Sequence, residues 1–512
     1  MNLAALCLAW VSFVVVPLDD RPVTRQLPQM LGAIAGVRIE LPPRALTGTY
    51  LTPGDPDAIL RWLRSDAAPQ DARAYVVSND MIAYGGLIAS RVPGTPAFLA
   101  YSRLRDLAAV RSAHAGASFA TFGTVMRLAP TGVPALGEAA SFFAAGAAWP
   151  LVDRYANLPD PPRTETERAL AADLRARLGP VLDDYLATRA RDRDVDLFEL
   201  QLTAEGAFDR VILGQDDAGP VGLHLRDLAA LRAYAAEWDR GGRAAIEPGA
   251  DELGMLLVGA ALARQAAYVP HVRVVYSRAG GATVNDPLEF APIGTTIPDI
   301  VRASGAVIDR DGELTLFVRV PETSAADEAT FETAIAAVVA AGRLAAVADL
   351  SFLRANDLAA QRELPAALIA RGIAGRLAAF AAWNTTANTV GTAIPEAIAV
   401  AAGKRMGTYD PGAHAQFMLD RYADDFAFHD FTRPALNAAL AARGIGDHAY
   451  LTPEVAVQAA RENRAGLWPR ALDLLAQIYP ECRDRGLTIT LPWDRTFETE
   501  LDVRLACAAT DR

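Results

Sequence analysis

The chain has 512 residues and 54.4 kDa, with 52% hydrophobic and 21% charged residues, a formal net charge of -12 and a pI near 5.1. The length exceeds one minimal domain, and the composition is typical of a globular protein rather than a disordered one. The acidic balance argues against nucleic acid as a partner, because nucleic-acid binders concentrate Lys and Arg in a basic stripe and the sequence has none.

Only three cysteines occur, Cys7, Cys482 and Cys507, and none lies in a CxxC spacing. The sequence therefore predicts neither a disulfide framework nor a thiolate zinc site, and it favours a reducing, cytoplasmic compartment. The apolar N-terminus resembles a signal peptide but lacks a basic n-region and a small-residue cleavage site, so we expect a core strand there. No later apolar run reaches about 20 residues, so no membrane span is predicted.

The segment Phe13–Pro22 (FVVVPLDDRP) predicts a buried strand that ends abruptly on Asp19, Asp20 and Arg21. Ligands of open α/β sheets and of α/β barrels bind beyond the carboxyl ends of the strands, so strand ends of this kind are expected to share one pocket. The same pattern, an apolar run that stops on a carboxylate, amide or guanidinium, recurs at Ala74–Asp80, Arg210–Asp217, Arg273–Arg278, Ala345–Asp349 and Leu377–Asn384.

Helical patterns alternate with these strands along the chain. Predicted helices are Val23–Gly36, Asp57–Arg64 with Asp57 as N-cap, Ala97–His114, a solvated charged stretch Thr164–Arg191, Leu253–Arg264, Ala326–Ala341 and Asn356–Arg371, and further predicted strands include Ser118–Val125 and Leu314–Val320. The alternation predicts an α/β protein with a mostly parallel sheet, either a distorted (β/α)8-type barrel or two doubly wound units. We expect residues 1–395 to form the α/β catalytic region, with a subdivision near 305–315, and residues 396–512 to form a mostly helical region packed on it.

Two adjacent carboxylates, Asp216 and Asp217, follow the strand in Val211–Pro220 (VILGQDDAGP). Burying two like charges raises at least one pKa, and glycosidases need one protonated and one ionised carboxyl at neutral pH. In the alternative interpretation, one carboxylate caps a turn and the other faces water. The repeat of the pattern at Asp19 and Asp20 favours catalysis, with one of the pair as general acid and the other as nucleophile or as polariser of a substrate acetamido group.

Other strand ends carry groups suited to sugars. Trp383–Gly391 offers an aromatic face followed by amides and hydroxyls, although Asn384 or Thr385 could instead cap a helix, as could Asp251. Arg127 could bind a ligand or form a structural ion pair. The predicted substrate-binding residues are Asp19, Asp20, Arg21, Asp80, Tyr84, Asp251, Glu252, Tyr276, Trp383, Asn384 and Asn388, and Trp493 would add a further apolar face.

The carboxylates could alternatively hold Mg²⁺, Mn²⁺ or Ca²⁺, but the chain lacks HExxH, HxH and DxDxDG spacing, and we predict no metal and no cofactor. The absence of GxSxG, GxxxxGK[ST] and of GxGxxG after the first strand argues against serine hydrolases, kinases and nicotinamide enzymes.

Six ordered motifs together resemble the bacterial uncharacterised family DUF4127. They are LDDRP at Leu18–Pro22, NDMIAYGGLIASR at Asn79–Arg91, GQDDAGP at Gly214–Pro220, GADE at Gly249–Glu252, WNTTANTVGTA at Trp383–Ala393 and LPWDRTFE at Leu491–Glu498. The resemblance spans nearly the whole chain and implies no catalytic assignment.

The residues themselves favour an enzyme, a glycoside hydrolase that cleaves a small saccharide or a terminal sugar, with an N-acetylhexosaminide among the candidates. The alternatives are a metal-dependent hydrolase or isomerase that uses the carboxylates as ligands, and a non-catalytic sugar-binding protein. The expected partner is a small-molecule carbohydrate, with neither nucleic acid nor membrane, and a homo-oligomer is left open.

Overall fold

The computed structural model describes residues 11–130, 148–354, 357–446 and 448–507. In this part of the chain, two open parallel β-sheets form the framework. The first sheet has the order β2-β1-β3-β4-β5-β6, from β1 (Ser12–Val16), β2 (Arg38–Glu40), β3 (Ala74–Ser78), β4 (Ser118–Val125), β5 (Arg210–Gln215) and β6 (Ala244–Pro248). The second has the order β11-β10-β9-β7-β8, from β7 (His271–Tyr276), β8 (Val307–Ile308), β9 (Leu314–Arg319), β10 (Leu344–Asp349) and β11 (Ala379–Ala381).

The two sheets repeat one strand order. In each sheet the first strand lies between the second and the third, and the remaining strands follow in sequence on the side of the third. This is the flavodoxin-like doubly wound order, whose ligand crevice lies at the carboxyl ends beside the first and third strands. No closed sheet is present among the described residues, so the pair of doubly wound units is observed and the barrel is not.

Helices cover both sheets. Those of the first unit are α1 (Pro22–Ala35), α2 (Pro56–Leu63), α3 (Asn79–Ala83), α4 (Leu87–Ser90), α5 (Ala97–Ala113), α6 (Trp149–Ala156), α7 (Glu165–Leu178), α8 (Pro180–Ala204), α9 (His224–Trp238) and α10 (Leu253–Gln265). The second unit has α11 (Ile293–Ala303), α12 (Ala325–Ala340), α13 (Leu358–Ala370) and α14 (Thr386–Met406). The chain continues with α15 (Pro411–Arg421), a π-helix (Tyr422–Thr432), α16 (Arg433–Ala442), α17 (Pro453–Ile478) and the antiparallel strands β12 (Cys482–Thr490) and β13 (Glu500–Cys507).

One layer of helices joins the two sheets. Helices α1, α10 and α14 pack on one another, and α11 packs on α14. Their apolar side chains share one core with those of both sheets, from Val15 in β1 to Leu316 in β9. Every residue of α14 from Thr386 to Gly403 is buried. The predicted boundary at residue 395 falls inside α14. In the chain, the strands of the first sheet end with β6 and those of the second begin with β7.

Two local predictions differ from the structure, and one pair of strands was not predicted. Asp55, not Asp57, caps α2, because Pro56 occupies the first helical position and Asp55 accepts a hydrogen bond from the Ala58 N–H. The stretch Thr164–Arg191 divides at Gly179 into α7 and α8, and α8 buries charged residues rather than presenting a solvated face. The final strands form an antiparallel hairpin, which the sequence did not predict.

A disulfide joins Cys482 and Cys507 at the open end of this hairpin. The spacing of the cysteines did not predict this bond. Among the described helices, none combines the length and the apolar content needed to cross a membrane.

Candidate active site

A cleft of about 330 Å³ lies at the carboxyl ends of the first sheet, a volume at the lower end of the range for small-molecule sites. Its lining comes from the segments that follow the first six strands, β7 and β11, together with the C-terminal hairpin and the segment before it. Six of the predicted site residues line it: Arg21, Asp216, Asp217, Asp251, Asn384 and Asn388. The structure thus brings together strand ends of both sheets.

The loop between β12 and β13 closes one side of the cleft with Trp493, Arg495 and Phe497. The Trp493 ring stacks on Tyr50 with centroids 4.9 Å apart, and its Nε1 donates to Asp20 Oδ1 at 2.6 Å. These contacts hold Trp493 in the left-handed region, at φ +62°, which a bulky residue rarely adopts. A residue near the end of the chain therefore forms the aromatic wall of a site built by its first strand.

Arg21 links two of the predicted carboxylates. Its Nη2 donates to Asp19 Oδ2 at 2.7 Å and to Asp251 Oδ1 at 2.6 Å, and its Nη1 donates to Asp251 Oδ2 at 3.1 Å. Such paired, charge-assisted hydrogen bonds fix the orientation of both groups. The side chain of Asp251 does not cap α10, so the helix-cap interpretation of this residue is wrong.

The two adjacent aspartates lie in different environments. Asp216 is buried and forms an ion pair with Arg91, which is also buried. Asp217 has 35% of its side chain exposed and lies 3.7 Å from Arg127 Nη1, beyond hydrogen-bond distance. Removal from bulk water and the neighbouring Asp216 raise the pKa of Asp217 to about 6. Asp217 can therefore exchange a proton near neutral pH, while Asp216 has a fixed cationic partner.

The N-terminus of α14 forms another part of the cleft. Asn384 donates to Asn388 Oδ1 at 2.6 Å, and Thr385 Oγ1 caps the helix by accepting from the Asn388 N–H at 3.2 Å. Glu289 accepts from the Ala387 N–H at 2.6 Å and lines the cleft. The cap predicted at Thr385 and the predicted position of Asn388 at the ligand site thus coexist.

Three predicted residues do not line the cleft but accept hydrogen bonds from residues that do. Asp19 binds Arg21, Asp20 binds Trp493, and Glu252 accepts from Asn388 Nδ2 at 2.8 Å. Burial raises the pKa of Glu252 to about 8. None of these carboxylates lines the cleft, so each orients a residue that does.

Four predicted residues lie away from the cleft surface. Asp80 is buried and accepts from the Thr124 N–H at 2.8 Å, and burial raises its pKa to about 7. Tyr84 is buried with the Arg191 guanidinium 4.5 Å from its ring centroid. Trp383 is a core residue whose Nε1 donates to Thr392, and Tyr276 packs on the same core.

Sequence reasoning missed Arg91, Tyr50, Glu289 and Arg495 as parts of the cleft. Arg91 and Arg495 lie within two of the motifs quoted above. The sequence of these motifs does not show which carboxylate each arginine pairs with. No group of three or more His, Cys, Asp or Glu side chains in the described part of the chain is arranged to hold a metal ion. Arginines, rather than a cation site, compensate the carboxylates Asp216 and Asp251.

No curated protein and no solved structure is detectably similar to this chain. A family model does match it, over residues 13–502, and its description is a protein of unknown function. The matched region includes the cleft, all strands of both sheets apart from Ser12, and the C-terminal hairpin as far as residue 502. The chain belongs to the DUF4127 family.

Proposed function

We propose that the protein is a glycoside hydrolase acting on a small saccharide or a terminal sugar, with Asp217 as its general acid. The observation that carries this proposal is the asymmetry of the aspartate pair. Asp217 opens onto the cleft with a pKa raised to about 6, and Asp216 is paired with Arg91. Two carboxyls with different environments are what acid-assisted cleavage of a glycosidic bond requires.

The residues around the pair suit a sugar ring. Trp493 and Phe497 line the cleft, with the Arg21 and Arg495 guanidinium groups each 4.6 Å from the centroid of the Trp493 ring. Asn384, Asn388 and Asp251 provide donors and acceptors for hydroxyl groups. In the proposed reaction, Asp217 donates its proton to the glycosidic oxygen as the bond from that oxygen to the anomeric carbon breaks. Asp216 stabilises the positive charge that develops on the sugar or on its acetamido group. Water then adds to the anomeric carbon and returns a proton to Asp217.

A screen against α- and β-nitrophenyl glycosides, including N-acetylhexosaminides, tests the proposal. We expect turnover that survives chelation and is unchanged in Asp473→Asn, which alters an exposed aspartate of α17. In Asp217→Asn, turnover of a substrate with a sugar leaving group should fall at least about 100-fold, and turnover of nitrophenyl glycosides should fall less, because nitrophenolate leaves without a proton. Turnover that disappears on chelation would favour a metal-dependent hydrolase instead. Saccharide binding without turnover, equal in the parent and in Asp217→Asn, would favour a sugar-binding protein.

The cytoplasmic location remains a proposal, and the Cys482–Cys507 disulfide counts against it. It is tested by fractionating the source cells and by titrating the thiols of Cys482 and Cys507 in the freshly isolated protein. An oxidised pair outside the cytoplasm would contradict it, because disulfides are rare in reducing compartments.

A further inference from the structure

A second cleft, of about 440 Å³, adjoins the first. Arg127, Asp217 and Leu288 line both. Asp217 therefore stands at the junction of two clefts, and the group that we propose as the proton donor can be reached from either side.

The walls of the second cleft are tightly packed. The Ala218 N–H donates to the Leu288 carbonyl at 3.0 Å, which ties the segment after Asp217 to the segment that carries Glu289. At Gly219, an added Cβ would lie 2.9 Å from the Pro287 carbonyl oxygen, so the backbones approach too closely for a side chain. The Leu223 N–H donates to the Ala156 carbonyl at 2.9 Å and fixes the same loop to α6.

The lining of the second cleft combines polar and apolar groups. Asp153 lies in α6 and Asn157 follows the last residue of that helix, and Asn157 Nδ2 donates to the Asp153 carbonyl at 2.8 Å and to Asp153 Oδ1 at 3.1 Å. Arg127 lies at the junction, and Leu128 and Val221 supply apolar surface. The Arg127 side chain is 27% exposed, and its contact with Asp217, at 3.7 Å, is too long for a hydrogen bond. Amide, carboxylate and guanidinium groups beside apolar surface match the hydroxyl groups and ring faces of a second sugar.

Resting on the proposed function, we propose that the second cleft binds the leaving-group sugar, so that the substrate is a saccharide of at least two units whose scissile bond lies over Asp217. The proton of Asp217 passes to the glycosidic oxygen, and the bond between that oxygen and the anomeric carbon breaks. The sugar in the second cleft leaves as a free alcohol. The oxygen of water then bonds to the anomeric carbon, and a proton of that water restores Asp217.

The test compares disaccharides with glycosyl fluorides, whose leaving group is a single atom and leaves the second cleft empty. Probes are maltose, cellobiose and N,N′-diacetylchitobiose with the corresponding α- and β-glycosyl fluorides. We expect the ratio of kcat/KM for disaccharide to that for fluoride to fall about tenfold in Asn157→Ala, the effect of losing one hydrogen bond to substrate. Val221→Trp, which fills the cleft, lowers the ratio further. Asn384→Ala, in the first cleft, lowers both rates and leaves the ratio unchanged.

Binding to the inactive Asp217→Asn variant provides a measurement that does not depend on turnover. Titration calorimetry is expected to show tighter binding of the disaccharide than of its monosaccharide, a difference that Val221→Trp removes. An unchanged kinetic ratio in both second-cleft variants, with turnover intact, overturns this inference and leaves the glycosidase proposal standing. Absence of turnover of every probe by the parent protein overturns the proposed function, and equal or absent affinity for the two saccharides then overturns the inference as well.

Discussion

At the scale of single residues, the pKa of Asp217 determines the expected pH dependence. A general acid acts only when protonated, and the pKa of Asp217 is raised to about 6, so kcat/KM should fall as pH rises through about 6. The positive charge of Arg127 lowers the pKa of Asp217. Arg127→Gln should therefore move this fall in kcat/KM to higher pH, measured as a pH–rate profile on the best nitrophenyl glycoside.

Arg168→Gln is the matched control for this profile, because Arg168 is exposed on α7 and paired with Glu165. Its profile should coincide with that of the parent. A fall in kcat/KM at the same pH in Arg127→Gln and in the parent would contradict the assignment of Asp217 as the titrating acid.

Asp216 has a role in stability as well as in the proposed chemistry. The side chains of Arg91 and Asp216 are only 5% and 6% exposed, so Asp216→Asn leaves a buried guanidinium without its counter-charge. We expect a loss of about 3–5 kcal/mol in the free energy of unfolding, measured in urea. Asp216→Asn combined with Arg91→Met should recover most of that loss, since neither charge then remains buried. Equal losses in the single and double variants would show that the pair does not stabilise the fold.

At the scale of secondary structure elements, the N-terminus of α14 depends on carboxylates from the loop before α11. Asp286 accepts from the Thr386 N–H at 2.7 Å, and Glu289 accepts from the Ala387 N–H at 2.6 Å. Asp286→Ala and Glu289→Ala should each lower the free energy of unfolding by about 1–2 kcal/mol, because buried helix amides lose their acceptor. Only Glu289 lines the cleft, so only Glu289→Ala should also raise KM.

The control for this pair is Asp357→Ala, which removes the N-cap of α13, away from the cleft. It should lower stability and leave KM unchanged. A KM that changes equally in the variants of Asp286, Glu289 and Asp357 would indicate a general effect of instability rather than a contact with substrate.

Strands that are continuous apolar runs could be predicted from the sequence. Elements without a clear apolar run or amphipathic period could not. Strand β4 has the predicted bounds and β3 lies within the predicted run Ala74–Asp80, because buried parallel strands appear as continuous apolar runs between loops. Helix α14 was predicted only in part, because the region predicted to be mostly helical begins at residue 396, ten residues after the helix starts. Burial on all sides removes the amphipathic period that reveals a helix, and the threonines at its start favour other conformations. Strand β12 was not predicted. Its few buried residues are separated by polar and charged ones, and it directly follows the long helix α17.

At the scale of the whole molecule, part of the cleft could be predicted because ligands of parallel sheets bind beyond the carboxyl ends of the strands. The other cleft residues are brought there by long-range packing. Asp216, Asp217 and Arg21 could be predicted as neighbours because parallel strands of one unit present their ends at one edge. The contact of Arg21 with Asp251 spans 230 residues, and it depends on how α1 and α10 pack between the sheets. Trp383 shows the opposite error, since its sequence context resembles a sugar platform but the helical layer buries it.

The C-terminal hairpin is the clearest case of assembly at this scale, because its loop returns to the first strand. Trp493 Nε1 bonds Asp20, across 473 residues of sequence, and the Cys482–Cys507 disulfide ties together the ends of the hairpin that carries Trp493. Cys482→Ser with Cys507→Ser should lower the free energy of unfolding by about 2–4 kcal/mol, since the open chain gains conformational freedom when unfolded. It should also raise KM severalfold, because the aromatic wall of the cleft is then less firmly held.

Dithiothreitol should produce the same two changes in the parent protein and no further change in the double serine variant. The measurements are urea unfolding and saccharide KM, each with and without reductant. If dithiothreitol raised KM equally in both proteins, the effect would not come from this disulfide. If the double variant lost stability at an unchanged KM, the hairpin would stabilise the fold without positioning Trp493, and the wall of the cleft would depend on the stacking of Trp493 with Tyr50 and its bond to Asp20 alone.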